Sequence, residues 1–105
     1  MEGGGVTAPG VKHDHGKPRC GLALLGFSRA LLEVARVGTF GAAKYTDNGW
    51  VQVPDGHARY TDAMLRHLLA EAESPVDAES GLSHAAHAAW NALARLELEL
   101  RATSR

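Results

Sequence analysis

Three stretches of the chain repeat apolar residues at helical steps. From Leu24 to about Thr39, the residues Leu24, Phe27, Leu31 and Val34 recur every three or four positions, one stripe of a helix. Arg29, Glu33 and Arg36 share the opposite side at the same steps, so Glu33 reads first as a surface ion-pair partner. A second helix is expected over about 59–73, with Tyr60, Met64 and Leu68 on one side and Asp62, Arg66, Leu69 and Glu73 on another. Ser74 and Pro75 end it. A third is expected from Asp77 or Ala78 to about Arg101, because Leu82, Ala86, Ala89, Leu93, Leu96 and Leu100 alternate steps of four and three. On this reading Asp77 is its N-cap and the leucine ridge is its core face. No strand pattern competes, so the fold class is all-α.

Between the first two helices lies GAAKYTDNGWVQVPDGHARY, rich in turn residues. A long connection in a small domain is more often functional than idle, and this one carries Lys44, Tyr45, Asn48 and Trp50. Trp50 either closes the core edge or offers a face to a base.

The third helix carries a second pattern. Ser80, His84, His87 and Asn91 fall at steps of four, three and four, a polar ridge away from the leucines. Short directional groups among alanines suit a site that another helix approaches closely. Histidines that cap or bridge helices are an equally good reading of the HxxH spacing alone. The neighbouring carboxylates Glu73, Asp77 and Glu79 favour a hard cation such as magnesium or manganese, which leaves the histidines as supporting or phosphate-contacting groups. Asp77 and Glu79 also suit the first turn of a helix, where acids complement the dipole. Arg66 and His67 lie just upstream, so cations for phosphate accompany carboxylates for a metal.

Composition narrows the partners. A length of 105 residues makes one domain, with 1–13 an expected flexible segment (it opens MEGGGVTAPG) and 14–105 the folded part. A body so small gains by pairing with copies of itself, so a homodimer or homotetramer is expected. The net charge of −1 argues against nucleic acid as a partner. The single Cys20, the lack of an apolar run of membrane-spanning length and the lack of a signal-peptide core point to the cytoplasm.

The ordered series DHGKPR (14–19), EVARVGTFGAAKY (33–45), NGW (48–50), RHLLA (66–70) and DAESGLSHAAHAAWN (77–91) resembles the short phage branch of the MazG-like all-α nucleoside triphosphate pyrophosphohydrolases. That branch is the dATP/dGTP diphosphohydrolase N-terminal domain family, which includes the MazZ-type phage enzymes. The resemblance implies a MazG-like helical bundle assembled by oligomerisation. It also implies hydrolysis of a deoxynucleoside triphosphate between its α and β phosphates, with two or more magnesium or manganese ions. The substrate it points to first is dGTP, with dATP behind, the dGMP feeding 2-aminoadenine synthesis for a phage genome in an infected bacterium.

The wider superfamily holds its metals with an ExxE pair and an ExxD pair. Here Glu79 matches the first acid of the second pair, but Leu82 stands where its aspartate would be, and Glu71 has Ser74 three residues later, so the first pair is incomplete as well. By resemblance Glu79 and Asp77 are the catalytic acids, and Glu33, Glu73 and His84 join them as metal ligands. Lys17, Lys44, Arg66 and His67 are expected on the triphosphate, together with His87. Asn48, Trp50 and Asn91 are expected at base or sugar, and Asp14 is expected to order the N-terminal segment over the site. The competing reading is a non-catalytic helical module that binds nucleotide or metal or dimerises. An HD-domain phosphohydrolase would rest on His13-Asp14 alone, in a glycine-flanked segment.

Overall fold

The computed structural model describes residues 9–103, so residues 1–8 of the expected N-terminal segment lie outside the described residues. The fold class is all-α, as expected. The helices are α1 (Cys20–Leu24), α2 (Ser28–Lys44), α3 (Gly56–Glu71) and α4 (His84–Thr103), with a 3₁₀ turn at Gly49–Gln52. Among the described residues the extended pairing is limited to one isolated bridge between Val76 and Ser83.

α3 and α4 form the main pair, and α2 packs on α4. Small residues set both approaches. A Cβ on Gly56 would sit 2.9 Å from Leu98 Cδ1, and one on Gly38 would sit 2.7 Å from the Trp90 ring. Glycine at these two positions lets α3 close on α4 and lets Trp90 lie across α2. Arg95 Nε donates to Thr61 Oγ1 at 2.7 Å and adds a polar tie between α3 and α4.

α2 starts four residues later than expected and runs five further, to Lys44, which brings that lysine onto helical backbone. The chain then turns through Thr46–Gly49, where Asn48 takes the left-handed conformation that asparagine tolerates best after glycine. α3 ends in tightened bonds, Ala72 N–H to Leu69 O and Glu73 N–H to Ala70 O, ahead of Ser74 and Pro75.

The largest departure from the expected elements is at α4. Residues 77–83 are not its first two turns but a closed loop. Asp77 N–H donates to Leu82 O at 2.8 Å, Gly81 N–H donates to Asp77 O at 2.8 Å, and Gly81 has φ +74°. That left-handed glycine stops a helix from running through. The N-cap is Ser83, whose Oγ accepts the Ala86 N–H at 3.0 Å, and Asp77 instead caps the loop by accepting the Ser80 N–H at 2.8 Å. The first turn of α4 therefore contains no acid, and the helix-dipole reading of Asp77 and Glu79 is set aside.

The core also differs. Its buried members are Val34 and Val37 of α2 and His84, Ala86, His87, Ala88, Asn91 and Ala94 of α4. The lower leucine ridge is turned outward: Leu93, Leu96 and Leu100 keep 48%, 48% and 53% of their surface. The expectation that these leucines form the core is corrected. The polar ridge, not the leucine ridge, faces α2 and α3, because only alanines, glycines and short polar groups fit where three helices converge.

Candidate functional site

One groove of about 1330 Å³ runs between the C-terminal half of α2, the 45–55 connection, α3 and the 77–80 loop. Of the residues expected at the site, Lys44, Asn48, Trp50, Arg66, His67, Asp77, Glu79, His87 and Asn91 all line it. Elements far apart in the chain thus meet in one place. Lys44 at the end of α2 forms an ion pair with Glu79 of the loop, and this bond lifts the lysine above its ordinary value.

Asp77 sits at the loop's pivot. Burial opposes its ionisation, but the Ser80 hydrogen bonds and the facing His87 and His67 outweigh it and hold the carboxyl below its usual range. His87 Nε2 lies 2.6 Å from Ser80 Oγ and 3.8 Å from Asp77 Oδ2, so the imidazole ties α4 to the loop. His67 of α3 stacks on His87 with ring centres 4.4 Å apart and an interplanar angle of 7°. Its Nδ1 lies 2.9 Å from His84 Nδ1. Burial and then the neighbouring His87 keep His67 below its ordinary value, and burial does the same for His87. Burial and the facing rings thus both disfavour charge on this stacked pair.

The far wall is aromatic. Trp50 meets Trp90 and Tyr60 edge to face, with centroids 6.1 and 6.4 Å apart, and Tyr60 Oη donates to Trp50 O at 2.7 Å. The guanidinium of Arg101 sits 5.6 Å from the Trp50 ring. Trp50 thus serves the packing and still borders the groove. Asn91 is buried and its Nδ2 donates to His87 O at 2.8 Å, which ties the amide to its own helix.

Other expected residues stay apart from this groove. Glu33 is exposed, paired with Arg36 at 3.0 Å, and borders a separate depression with Arg29, Ala30 and Leu32. Glu73 is exposed just past the end of α3. Asp14 and Lys17 belong to an exposed turn in which the Lys17 N–H donates to Asp14 O. His84 is buried behind the groove and reaches it through His67. Conversely, Phe40, Arg59, Tyr60, Asp62 and Trp90 line the groove without having been expected at the site, and Tyr45 of the connection lines it too. Asp62 had a signal, since it is four residues before Arg66 on one helix face. Trp90 had none, because an aromatic beside core alanines reads as packing.

The donors suit the hard divalent cations that the resemblance implies. Asp77, Glu79 and Asp62 border one groove, and the charge of Glu79 is met by a lysine that a cation can displace.

The family described as dATP/dGTP diphosphohydrolase, N-terminal, matches residues 7–105. A dATP/dGTP diphosphohydrolase of Salmonella phage PMBT28 is 41% identical over 81 residues, which cover 76% of this chain and 26% of that relative. The chain thus matches about a quarter of the relative's length. No solved structure matches it. The chain belongs to the dATP/dGTP diphosphohydrolase N-terminal family.

Proposed function

We propose, from that membership, that the chain hydrolyses a deoxynucleoside triphosphate between its α and β phosphates, giving the monophosphate and pyrophosphate. The leading substrate is dGTP, with dATP next. The observation that carries the reading is one groove gathering Lys44, Arg66, Asp77 and Glu79 against an aromatic wall. Asp77 and Glu79, with Asp62, would hold two or more magnesium or manganese ions. When bound, such ions neutralise phosphate oxygens and lower the pKa of a water.

The chain's own residues do the rest. Arg66 and Lys44 pair with phosphate oxygens and stabilise charge that grows on the departing pyrophosphate. Lys44 is held by Glu79 in the free protein, so engaging Glu79 elsewhere releases the lysine toward the triphosphate. Trp50, Tyr60 and Trp90 offer ring edges and faces to the base, and Asn48 offers an amide from a fixed left-handed turn. No described helix is long and apolar enough to cross a membrane. We further read the exposed Leu93, Leu96 and Leu100 as the face on which two or four copies assemble, and the product as dGMP for 2-aminoadenine synthesis in an infected cell.

The test is to incubate the protein with each deoxynucleotide and Mg²⁺ or Mn²⁺ and resolve the products. Monophosphate with pyrophosphate is expected; diphosphate or inorganic triphosphate would move the cleaved bond. Glu79→Gln should lower turnover by about 100-fold or more, with the melting temperature unchanged because Glu79 is exposed. Retained activity would overturn its assignment. A non-catalytic binding module is favoured by one fact, that the match spans a quarter of the relative. Absence of hydrolysis of any deoxynucleotide selects it.

A further inference from the structure

His67 and His87 of the groove, with His84 buried behind it, are not absorbed by the carboxylate chemistry above. We propose that His67, His84 and Asp77 form a binding site for one first-row transition-metal dication, of the manganese, iron, cobalt or zinc kind and not magnesium. This deepens the function proposed above by adding one nitrogen-held ion, which shares Asp77, beside the ions that Glu79 and Asp62 would hold in that groove, and rests on that reading only for the ion's use in hydrolysis.

The three residues come from three separate elements, α3, the 77–83 loop and the first position of α4, yet one ligand atom of each lies within 4.8 Å of the other two. His67 Nδ1 and His84 Nδ1 are 2.9 Å apart. Metal–imidazole bonds run about 2.0–2.1 Å, so two nitrogens on one ion stand roughly 2.9 Å apart at right angles and about 3.3–3.4 Å apart in a tetrahedral site. The pair, hydrogen-bonded in the free protein, is thus within a few tenths of an ångström of the spacing a shared ion needs.

Without metal, one imidazole must donate its Nδ1 proton to the other. With metal, both Nδ1 atoms bind through lone pairs, and the donating ring changes to its Nε2–H tautomer, so no net proton is released. The donor set decides the metal class. Two imidazoles and one carboxylate suit borderline transition metals, whereas magnesium takes oxygen ligands.

The surroundings are those of a supported site. Asp77 is oriented by the Ser80 N–H at 2.8 Å, and Ser80 Oγ is in turn tied to His87 Nε2 at 2.6 Å. His87 stacks flat on His67 and fixes that ring's plane. Such outer contacts set the orientation of ligands. His67 and Asp77 border the groove, which gives an ion a path in and leaves one side of it toward a phosphate oxygen or water.

The test uses the full chain with Zn²⁺ alone or Mn²⁺ alone and no nucleotide. Calorimetry should give one Zn²⁺ per chain, bound far more tightly than Mg²⁺. His67→Ala and His84→Ala should each weaken Zn²⁺ by about 100-fold or more, beyond the roughly 10- to 100-fold of an outer-partner change such as Ser80→Ala. Pulsed electron paramagnetic resonance of the wild-type Mn²⁺ form should show coupling to imidazole nitrogen, a readout that needs no variant and survives any misfolding of His84→Ala. Absence of nitrogen coupling, or Zn²⁺ affinity unchanged in His67→Ala, overturns the site. Because nucleotide is left out, a protein that hydrolyses dGTP with Mg²⁺ yet shows no nitrogen ligand refutes the site and leaves the function. One that binds Zn²⁺ through nitrogen but hydrolyses nothing does the reverse.

Discussion

The two ridges of α4 exchange the places that hydropathy would assign them. His84, His87 and Asn91 retain 8%, 8% and 6% of their surface, while Leu93, Leu96 and Leu100 on the same helix stand about half exposed. Burying polar groups is unfavourable unless every one is partnered. Here they are: among the described residues no buried side-chain nitrogen or oxygen lacks a hydrogen bond. The polar ridge is therefore a network held in place by packing, and its burial serves the groove. The leucine ridge, left outside, is exposed apolar surface. A protomer that spends its interior on chemistry has little left for a large apolar core, and none of its described side chains is fully buried.

Breaking the inner ridge should have the larger effect. His87→Ala removes the Ser80 bond and the His67 stack together, while Ser80 Oγ keeps the Leu82 N–H at 3.1 Å. We expect about 1–3 kcal/mol of lost stability in chemical denaturation; a change below the measurement error would show that the network is idle. Ser83→Ala, which strips the cap beneath the same ridge, should lose about 1 kcal/mol, readable as a lower melting temperature.

The outer ridge should respond in the opposite way. Leu96→Ser should alter the intrinsic stability of the protomer by only about 0.5 kcal/mol. It should nevertheless shift the mass measured by light scattering toward the single chain, and abolish any dependence of melting temperature on protein concentration. An unchanged mass distribution would separate this ridge from assembly.

Acid sharpens the contrast without mutation. His67 and His87 titrate below their ordinary value of 6.5, facing His84, Arg66, Asp77 and Glu79. The unfolded chain then takes up protons before the folded one does. Stability from these two groups is full above pH 6.5 and is lost as pH falls below it. Asp77, also lowered, adds a further loss below its ordinary 3.8. Melting temperature measured from pH 8 to 5 should fall below 6.5 in the wild type and fall less in His87→Ala.

Much of this was legible in the chain. Helical periodicity identified three long helices and the all-α class, since α2 and α3 lie within about five residues of where apolar spacing put them, while α4 starts six or seven residues later than expected. Turn residues marked the connection that supplies Asn48 and Trp50. The alanine run points the other way: its spacing continues smoothly through Ser80 and places a helix start near Asp77. Gly81 and Ser83 held the contrary signal, a left-handed glycine followed by a capping serine, but a local break competes poorly with a long period.

The gathering of site residues was legible in part, because Arg66, His67, Asp77 and Glu79 are close in sequence. That Glu33 stands apart with Arg36 while Asp62 joins the groove depends on the rotation of each helix about its axis, which periodicity leaves open to within a face. The sequence by itself determined which residues share a helix face and which groups have the donor types that suit metal and phosphate, because both follow from local geometry and side-chain type. Only the tertiary structure decided which face of α4 turns inward, because that choice depends on how closely α2 and α3 approach at Gly38 and Gly56. It also decided that His67, Asp77 and His84 meet within one ion's reach, a convergence of three elements that no spacing along one of them encodes.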